Sequence, residues 1–337
     1  MKYTKSEFAD KKIEKDMELI CEEIKKRVPN VISIILSGGF ARGCGPVKIE
    51  GDEIFPYNDY DIQIISELKI DKDKIDNISS DISRKLGYKG IVNFYPFKKE
   101  EQKAKDNFYI DLKCDTPEDL KKFLPRIRNY ELKNDSMILY GKDLRNLIPD
   151  YKLDEMPLSE GGKFLLDRMS QMIEYYSTVG KHDDDFLTYI IQQAYTACCT
   201  ALLMLSKKYQ VGYVKSMKIL KETYKNDFPK LYEKIPDLHK KIEEYVNWKT
   251  NPKKPAIKDI HKEWFIAKDN IILVSMYFFG KFLEKDVTNV DQLSKAIMNM
   301  RKKFYLPYLK EILKSKRINL GNSSQFLLPM VSLVLKY

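Results

Sequence analysis

Histidine is scarce in this chain. The three present (His182, His239, His261) lie far apart and show no metal-ligand spacing, which excludes a histidine-based metal site. Cysteine is sparse too. The five (Cys21, Cys44, Cys114, Cys198, Cys199) form no C-x-x-C pair, and Cys198 and Cys199 are adjacent within a helical pattern. A disulfide framework and zinc ligation are both excluded. No run of 18 or more apolar residues marks a membrane span. The charged start, MKYTKSEFADKKIEKD, reads as a helix rather than a signal peptide. The expectation is a cytoplasmic chain with no membrane partner. Internal repeats, low-complexity tracts, zinc modules and RNP-type aromatic signatures are all missing, which disfavours RNA as a partner.

What the chain has in quantity is lysine and apolar residues. Its 337 residues, 43% of them hydrophobic, suffice for two domains with real cores. The net charge of +10 is unevenly spread: residues 1–150 carry 28 Lys and Arg against 28 Asp and Glu, residues 151–337 carry 31 against 21. A basic second half can attract a polyanion. The preference for Lys over Arg and the abundant Ile are equally what an AT-rich genome produces.

Periodicity divides the chain in two. Ile13, Met17, Ile20, Ile24 and Val28 recur at helical steps over residues 5–28. Strands are expected at Val31–Leu36, Tyr60–Ser66, Ile91–Tyr95, Phe108–Cys114 and Met137–Tyr140, with a helix over 72–86. Turn signals around Val47-Lys48-Ile49 and Glu53-Ile54-Phe55 predict a small hairpin within 44–58. Pro149 and Pro157 bracket a connector, so the domains are read as 1–150 and 151–337. The second is helical throughout, with helices from Asp183-Asp184-Asp185 through Leu205 and over 213–224, 229–247, 258–284, 291–305 and 306–316. The fold class is α+β: an α/β domain with a short mixed sheet, then an all-helical domain.

One stretch carries chemistry. The apolar run Ile34-Ile35-Leu36 feeds into Ser37-Gly38-Gly39, followed by Arg42-Gly43, and Asp59 and Asp61 lie some twenty residues on. Residues i and i+2 of a strand share a side, so these carboxylates point together and call for a cation. In FYIDLKC, the alternation puts Tyr109, Asp111 and Lys113 on one side, which makes Asp111 a third acid on a strand. Three carboxylates beside a glycine turn are what a two-metal phosphoryl-transfer site needs, since Mg²⁺ takes oxygen ligands and paired ions clamp both oxygens of an in-line displacement. The glycine turn holds phosphates close, with Arg42 a candidate for charge on the departing pyrophosphate. Lys163 and Arg168, on the first helix of the second domain, are candidates to reach a triphosphate. A solvated helix face explains them equally. Asp183–Asp185 reads first as a helix cap, and Asp115, ahead of Thr116-Pro117-Glu118, reads as another.

Ser37-Gly38-Gly39, Asp59-Tyr60-Asp61 and Asp111 together resemble the nucleotidyltransferase superfamily with the DNA polymerase β-like fold. Gly38-Gly39-Phe40-Ala41-Arg42-Gly43 is similar to the Gly-Gly-x-x-Arg-Gly variant of protein-uridylylating and related members. The resemblance covers roughly residues 31–145. It implies that Asp59, Asp61 and Asp111 ligate two Mg²⁺ ions (or Mn²⁺) and that Ser37, Gly38 and Gly39 contact the phosphates. The chain departs from the family pattern in a longer spacer between Gly39 and Asp59, which falls on the 44–58 hairpin, and in Cys44 where Glu is common.

The function expected is transfer of a nucleoside monophosphate from an NTP such as ATP to a hydroxyl on a small molecule or protein, with release of pyrophosphate. The alternatives are a non-catalytic nucleotide-binding regulator or antitoxin on the same fold, or an RNA- or dinucleotide-forming nucleotidyltransferase.

Overall fold

The computed structural model describes residues 2–57, 59–88, 108–251 and 259–297. The first element is helix α1 (Glu7–Arg27), opened by Ser6, whose side chain accepts from the Ala9 amide, and burying Ile13, Met17, Ile20 and Ile24. Strand β1 (Val31–Leu36) leads into the four-residue helix α2 (Gly38–Ala41), and β2 (Val47–Glu50) and β3 (Glu53–Pro56) form a separate hairpin. There follow β4 (Asp59–Ser66), α3 (Lys72–Lys85), β5 (Tyr109–Asp115), the short helices α4 (Pro117–Leu120) and α5 (Ile127–Asn134), and β6 (Met137–Gly141).

The four-stranded sheet has the order β5-β4-β1-β6, with β4 and β5 parallel and the other pairs antiparallel. Its two faces differ in composition. Ile34, Leu36, Tyr60, Ile62, Ile64, Ile110 and Leu112 pack on one side with the apolar stripes of α1 and α3. On the other, Ile35 and Ile65 meet Leu120 of α4, Leu132 of α5 and Ile148. That second face is apolar at one end only. Its other end carries the acids.

The rest is helical: α6 (Leu158–Glu174), α7 (Asp184–Leu205), α8 (Tyr213–Asp227), α9 (Pro229–Lys234), α10 (Leu238–Thr250) and α11 (Ile260–Leu283), with further helical turns at 290–297. α7 is the axis of this half, packing against α6, α8, α10 and α11. Gly162 lets α6 come close, since a Cβ there would meet the Phe278 and Phe279 rings at 3.2 Å. α7 is long and apolar enough to cross a membrane, but 89% of its apolar window is buried inside the protein. It is a core helix.

The α+β class with a small mixed sheet is as expected, and the strand and hairpin positions agree within a residue or two where described. Three readings change. Residues 229–247 form two helices, because Pro236 lacks the amide that would continue the ladder. α4 and α5 were not anticipated; they are 4 and 8 residues long, too short for periodicity to show. Thr116, not Asp115, caps α4, through a reciprocal capping box with Asp119. The strand expected at Ile91–Tyr95, the end of the 291–305 helix and the 306–316 helix lie outside the described residues.

Candidate active site

The direction of the carboxylates is set from behind. Between Asp59 and Asp61 stands Tyr60, fully buried on the α1 side, where Phe40 and Phe108 each meet its ring edge-on at 4.8 Å. Its hydroxyl donates to the buried carboxylate of Asp16 on α1 at 2.8 Å. With Tyr60 pinned there, the period of two turns Asp59, Asp61, Gln63 and Ile65 to the opposite face. A one-residue slip would reverse the assignment of every side chain, and this anchor opposes it.

The parallel register then brings in the third acid. Asp59 lies across from Tyr109, and Asp61 lies across from Asp111. Carboxylate oxygens of Asp59, Asp61 and Asp111 fall within 4.8 Å of one another, all three residues being half-buried. On the neighbouring strand the Ser37 amide donates to the Asp61 carbonyl at 2.9 Å, tying the end of β1 to the site. Gly38 follows with φ +71°, and a Cβ there would stand 2.4 Å from Asp61 Oδ2. Glycine is required here on both counts. Gly39 is different: a Cβ would make ordinary contacts, and its carbonyl accepts from the Arg42 and Cys44 amides to close the turn.

Burial pushes the Asp59 carboxyl well above the usual carboxylate range, reinforced by the charges of Asp61 and Asp111 and opposed by Lys113 and Lys249. Asp61 is raised mainly by burial as well, with Lys113, Arg128 and Arg42 opposing and Asp111 adding to the rise. Lys113 forms an ion pair with Asp111. Arg128 donates to Gln63 Oε1 at 3.4 Å, and Gln63 in turn donates to Asp115 at 2.9 Å, a polar rung beside the acids. Asp115 therefore has a place in the sheet rather than in a cap.

Arg42 lies 3.6 Å from Glu131 of α5 and has a buried Nη1 without a hydrogen-bond partner. Both groups are shaped by burial, which raises Glu131 while Arg42 pulls it back. Lys163 is exposed on α6. The helical-half lysine that acts on the acids is Lys249, at the end of α10. It is only 7% exposed, and its ammonium finds the Tyr213 ring, 3.9 Å from the centroid, rather than a carboxylate. From α7, Tyr189 comes within electrostatic reach of Asp59: burial first, then the charges of Asp59 and Tyr213, drive its hydroxyl upward, against Arg168 and a hydrogen bond with Gln193. Tyr189 in turn adds to the rise of Tyr109, which is driven first by burial.

The acidic start of α7 has two separate uses. Asp183 caps the helix, accepting from the Phe186 amide at 2.6 Å. Asp185 instead takes Lys48 Nζ of the hairpin at 2.6 Å and the Tyr57 hydroxyl at 3.1 Å.

The structure thus brings Ser37, Gly38, Asp59, Asp61 and Asp111 together, sets Arg42 against Glu131, and leaves Lys163 at the surface. Sequence reasoning missed Lys249, Tyr189, Arg128 and Glu131; none belongs to a local motif, and each arrives through tertiary packing. The donor set suits a hard divalent cation such as Mg²⁺ or Mn²⁺, which favours clustered carboxylate oxygens and relieves their repulsion.

No protein-family model matches the chain, and no curated protein matches it in sequence. Among solved structures, the chain is similar to the crystal structure of spectinomycin adenyltransferase from Enterococcus faecialis with ATP and spectinomycin. The identity is 14%, with 77% of this chain and 99% of that chain covered and a TM-score of 0.44. A likeness of that degree does not bear on substrate or mechanism.

Proposed function

We propose that this protein is a cytoplasmic, Mg²⁺-dependent nucleotidyltransferase that transfers a nucleoside monophosphate from an NTP to a hydroxyl and releases pyrophosphate. The observation that carries this reading is the clustering of Asp59, Asp61 and Asp111 oxygens within 4.8 Å across a parallel strand pair. Asp59, Asp61 and Asp111 would hold divalent cations, whose chemistry when bound would be to polarise the α-phosphate and stabilise charge on the attacking and leaving oxygens. The chain's own residues supply the remainder. Gly38 brings backbone directly against Asp61, where any side chain would meet the carboxylate, so that the turn stands beside the acids as a phosphate-binding turn would. Arg42 and Lys249, each with charge to spare toward the acids, attract the β- and γ-phosphates. Tyr189 and Tyr109, both half-buried, lie within electrostatic reach of Asp59 at the edge of the cluster.

In this reading residues 1–150 hold the metal and phosphates, and α7 and α10 of the helical half reach them through Tyr189 and Lys249. The acceptor is a hydroxyl on a small molecule or a protein in preference to RNA, because the sequence carries no RNA-binding module. Incubating the protein with α-labelled NTPs, Mg²⁺ and a cell lysate tests the proposal. Label should move into protein or small solutes in wild type and in neither with Asp59→Ala or Asp61→Ala. Full transfer by both variants would end it.

A further inference from the structure

Two features stand outside the site as described: the 44–58 hairpin that lengthens the spacer, and the second acidic residue of the α7 start. They meet each other. Asp185 Oδ2 accepts from both Lys48 Nζ at 2.6 Å and Tyr57 Oη at 3.1 Å, while Lys48 also pairs with Glu50 at 2.7 Å. Tyr57, 7% exposed, turns its ring edge-on to Trp248 of α10, with centroids 5.8 Å apart and planes at 81°. Its amide donates to the Pro46 carbonyl at 2.9 Å, which closes the base of the hairpin.

The positions of these residues give the contact its meaning. Tyr57 is two residues before Asp59. Asp185 is one helical turn before Tyr189 on the same face of α7. Trp248 directly precedes Lys249. Three of the four partners, all but Lys48, are therefore within two residues in the chain, or one turn on a helix face, of a residue at the carboxylates. An isolated surface pair would order little. Here one carboxylate oxygen gathers an ammonium and a buried hydroxyl from the same hairpin, and an aromatic edge secures the second helix.

We infer that Lys48, Tyr57, Asp185 and Trp248 form a clasp that sets Tyr189 and Lys249 over the three acids. The hairpin insertion is then a positioning element that joins the sheet half to α7 and α10. Its kinetic consequence rests on the nucleotidyltransferase reading, whereas its structural consequence does not. Opening the clasp lets Lys249 drift from the phosphates, so nucleotide binding weakens while the acids themselves stay in place.

The test uses the full chain and two readouts. The first needs no turnover: emission from Trp248, taken as the difference between each protein and its Trp248→Phe counterpart. Asp185→Asn and Lys48→Met shift that emission to the red and expose it to acrylamide. Asp184→Asn, which removes a charge from the same helical turn without touching the hairpin, does not, and Lys48→Arg restores the wild-type signal. The second readout is steady-state kinetics. Losing the charge-assisted contact raises the NTP KM about tenfold, with the larger part of the change in KM rather than kcat. The double variant Lys48→Met/Asp185→Asn is no worse than either single one, the mark of residues acting as a unit. Unchanged Trp248 emission in Asp185→Asn, or the same shift in Asp184→Asn, overturns the clasp. A wild-type protein that turns over no NTP overturns the enzyme reading instead, and the emission arm still decides the clasp.

Discussion

The two faces of strand β4 are built from alternate residues of one eight-residue segment, yet they are opposite in kind. On one face Tyr60, Ile62 and Ile64 are at most 1% exposed, and the tyrosine hydroxyl has its partner in Asp16. On the other, Asp59 and Asp61 stand half-buried beside Asp111, and burial with mutual repulsion raises the first two. The first face is complete as folded. In the proposed function a cation and a substrate would complete the second, and the buried first face is what holds its acids in place.

Substitutions should separate the faces. The largest effect belongs to Asp59→Ala and Asp61→Ala: nucleotidyl transfer falls by about 10³-fold or more, with the melting temperature held or raised because a crowded carboxylate is gone. Gly38→Ala comes next. It drives a methyl into Asp61 and strains a positive φ, and a displacement on the order of 1 Å costs roughly 10²-fold in rate. Lys249→Ala raises the NTP KM by roughly tenfold to a hundredfold, as expected for one lost charge-assisted contact of about 1.5–3 kcal/mol, and calorimetric NTP titration would show the same loss.

Tyr60→Phe acts on the other face. It costs about 1–2 kcal/mol of stability in a urea titration, because Asp16 loses a buried donor, and leaves kcat per folded molecule close to wild type. A large loss of kcat in this variant would mean that the faces are not separable. The smallest effect is on pH dependence without metal. Folded Asp59 and Asp61 hold protons more tightly than in the unfolded chain, so folding takes up protons. The stability they withhold above their raised values returns as pH falls toward the ordinary carboxylate range. Melting temperatures of the metal-free protein should therefore rise modestly over that window. Saturating Mg²⁺ should flatten the curve in wild type, not in Asp61→Asn.

What could be read in advance followed from local pattern. β1 and β4 were visible as β-branched runs, and the three acids because a strand's period of two puts Asp59 with Asp61 and exposes Asp111 between Ile110 and Leu112. Pro236 was equally visible, and it is what divides the expected 229–247 helix into α9 and α10. Lys249 could not be picked out: it is one lysine among many in a basic half, and only the packing of α10 buries it. Glu131 sits in a helix too short to announce itself. The pairing of Asp185 with Lys48 spans 137 residues of sequence, and an acidic helix start is fully explained by capping until the hairpin is seen against it.

The parallel pairing of β4 with β5 also bears on time. Parallel neighbours cannot be joined by a tight turn, so Asp61 meets Asp111 only after a crossover through α3 has folded back. Contacts of such separation form late on the way to the native state. A divalent cation bridging the two strands would then stabilise the native protein more than its transition state. Its removal should appear as faster unfolding with little change in the refolding rate, so the ion that serves chemistry would also govern how long the folded protein lasts.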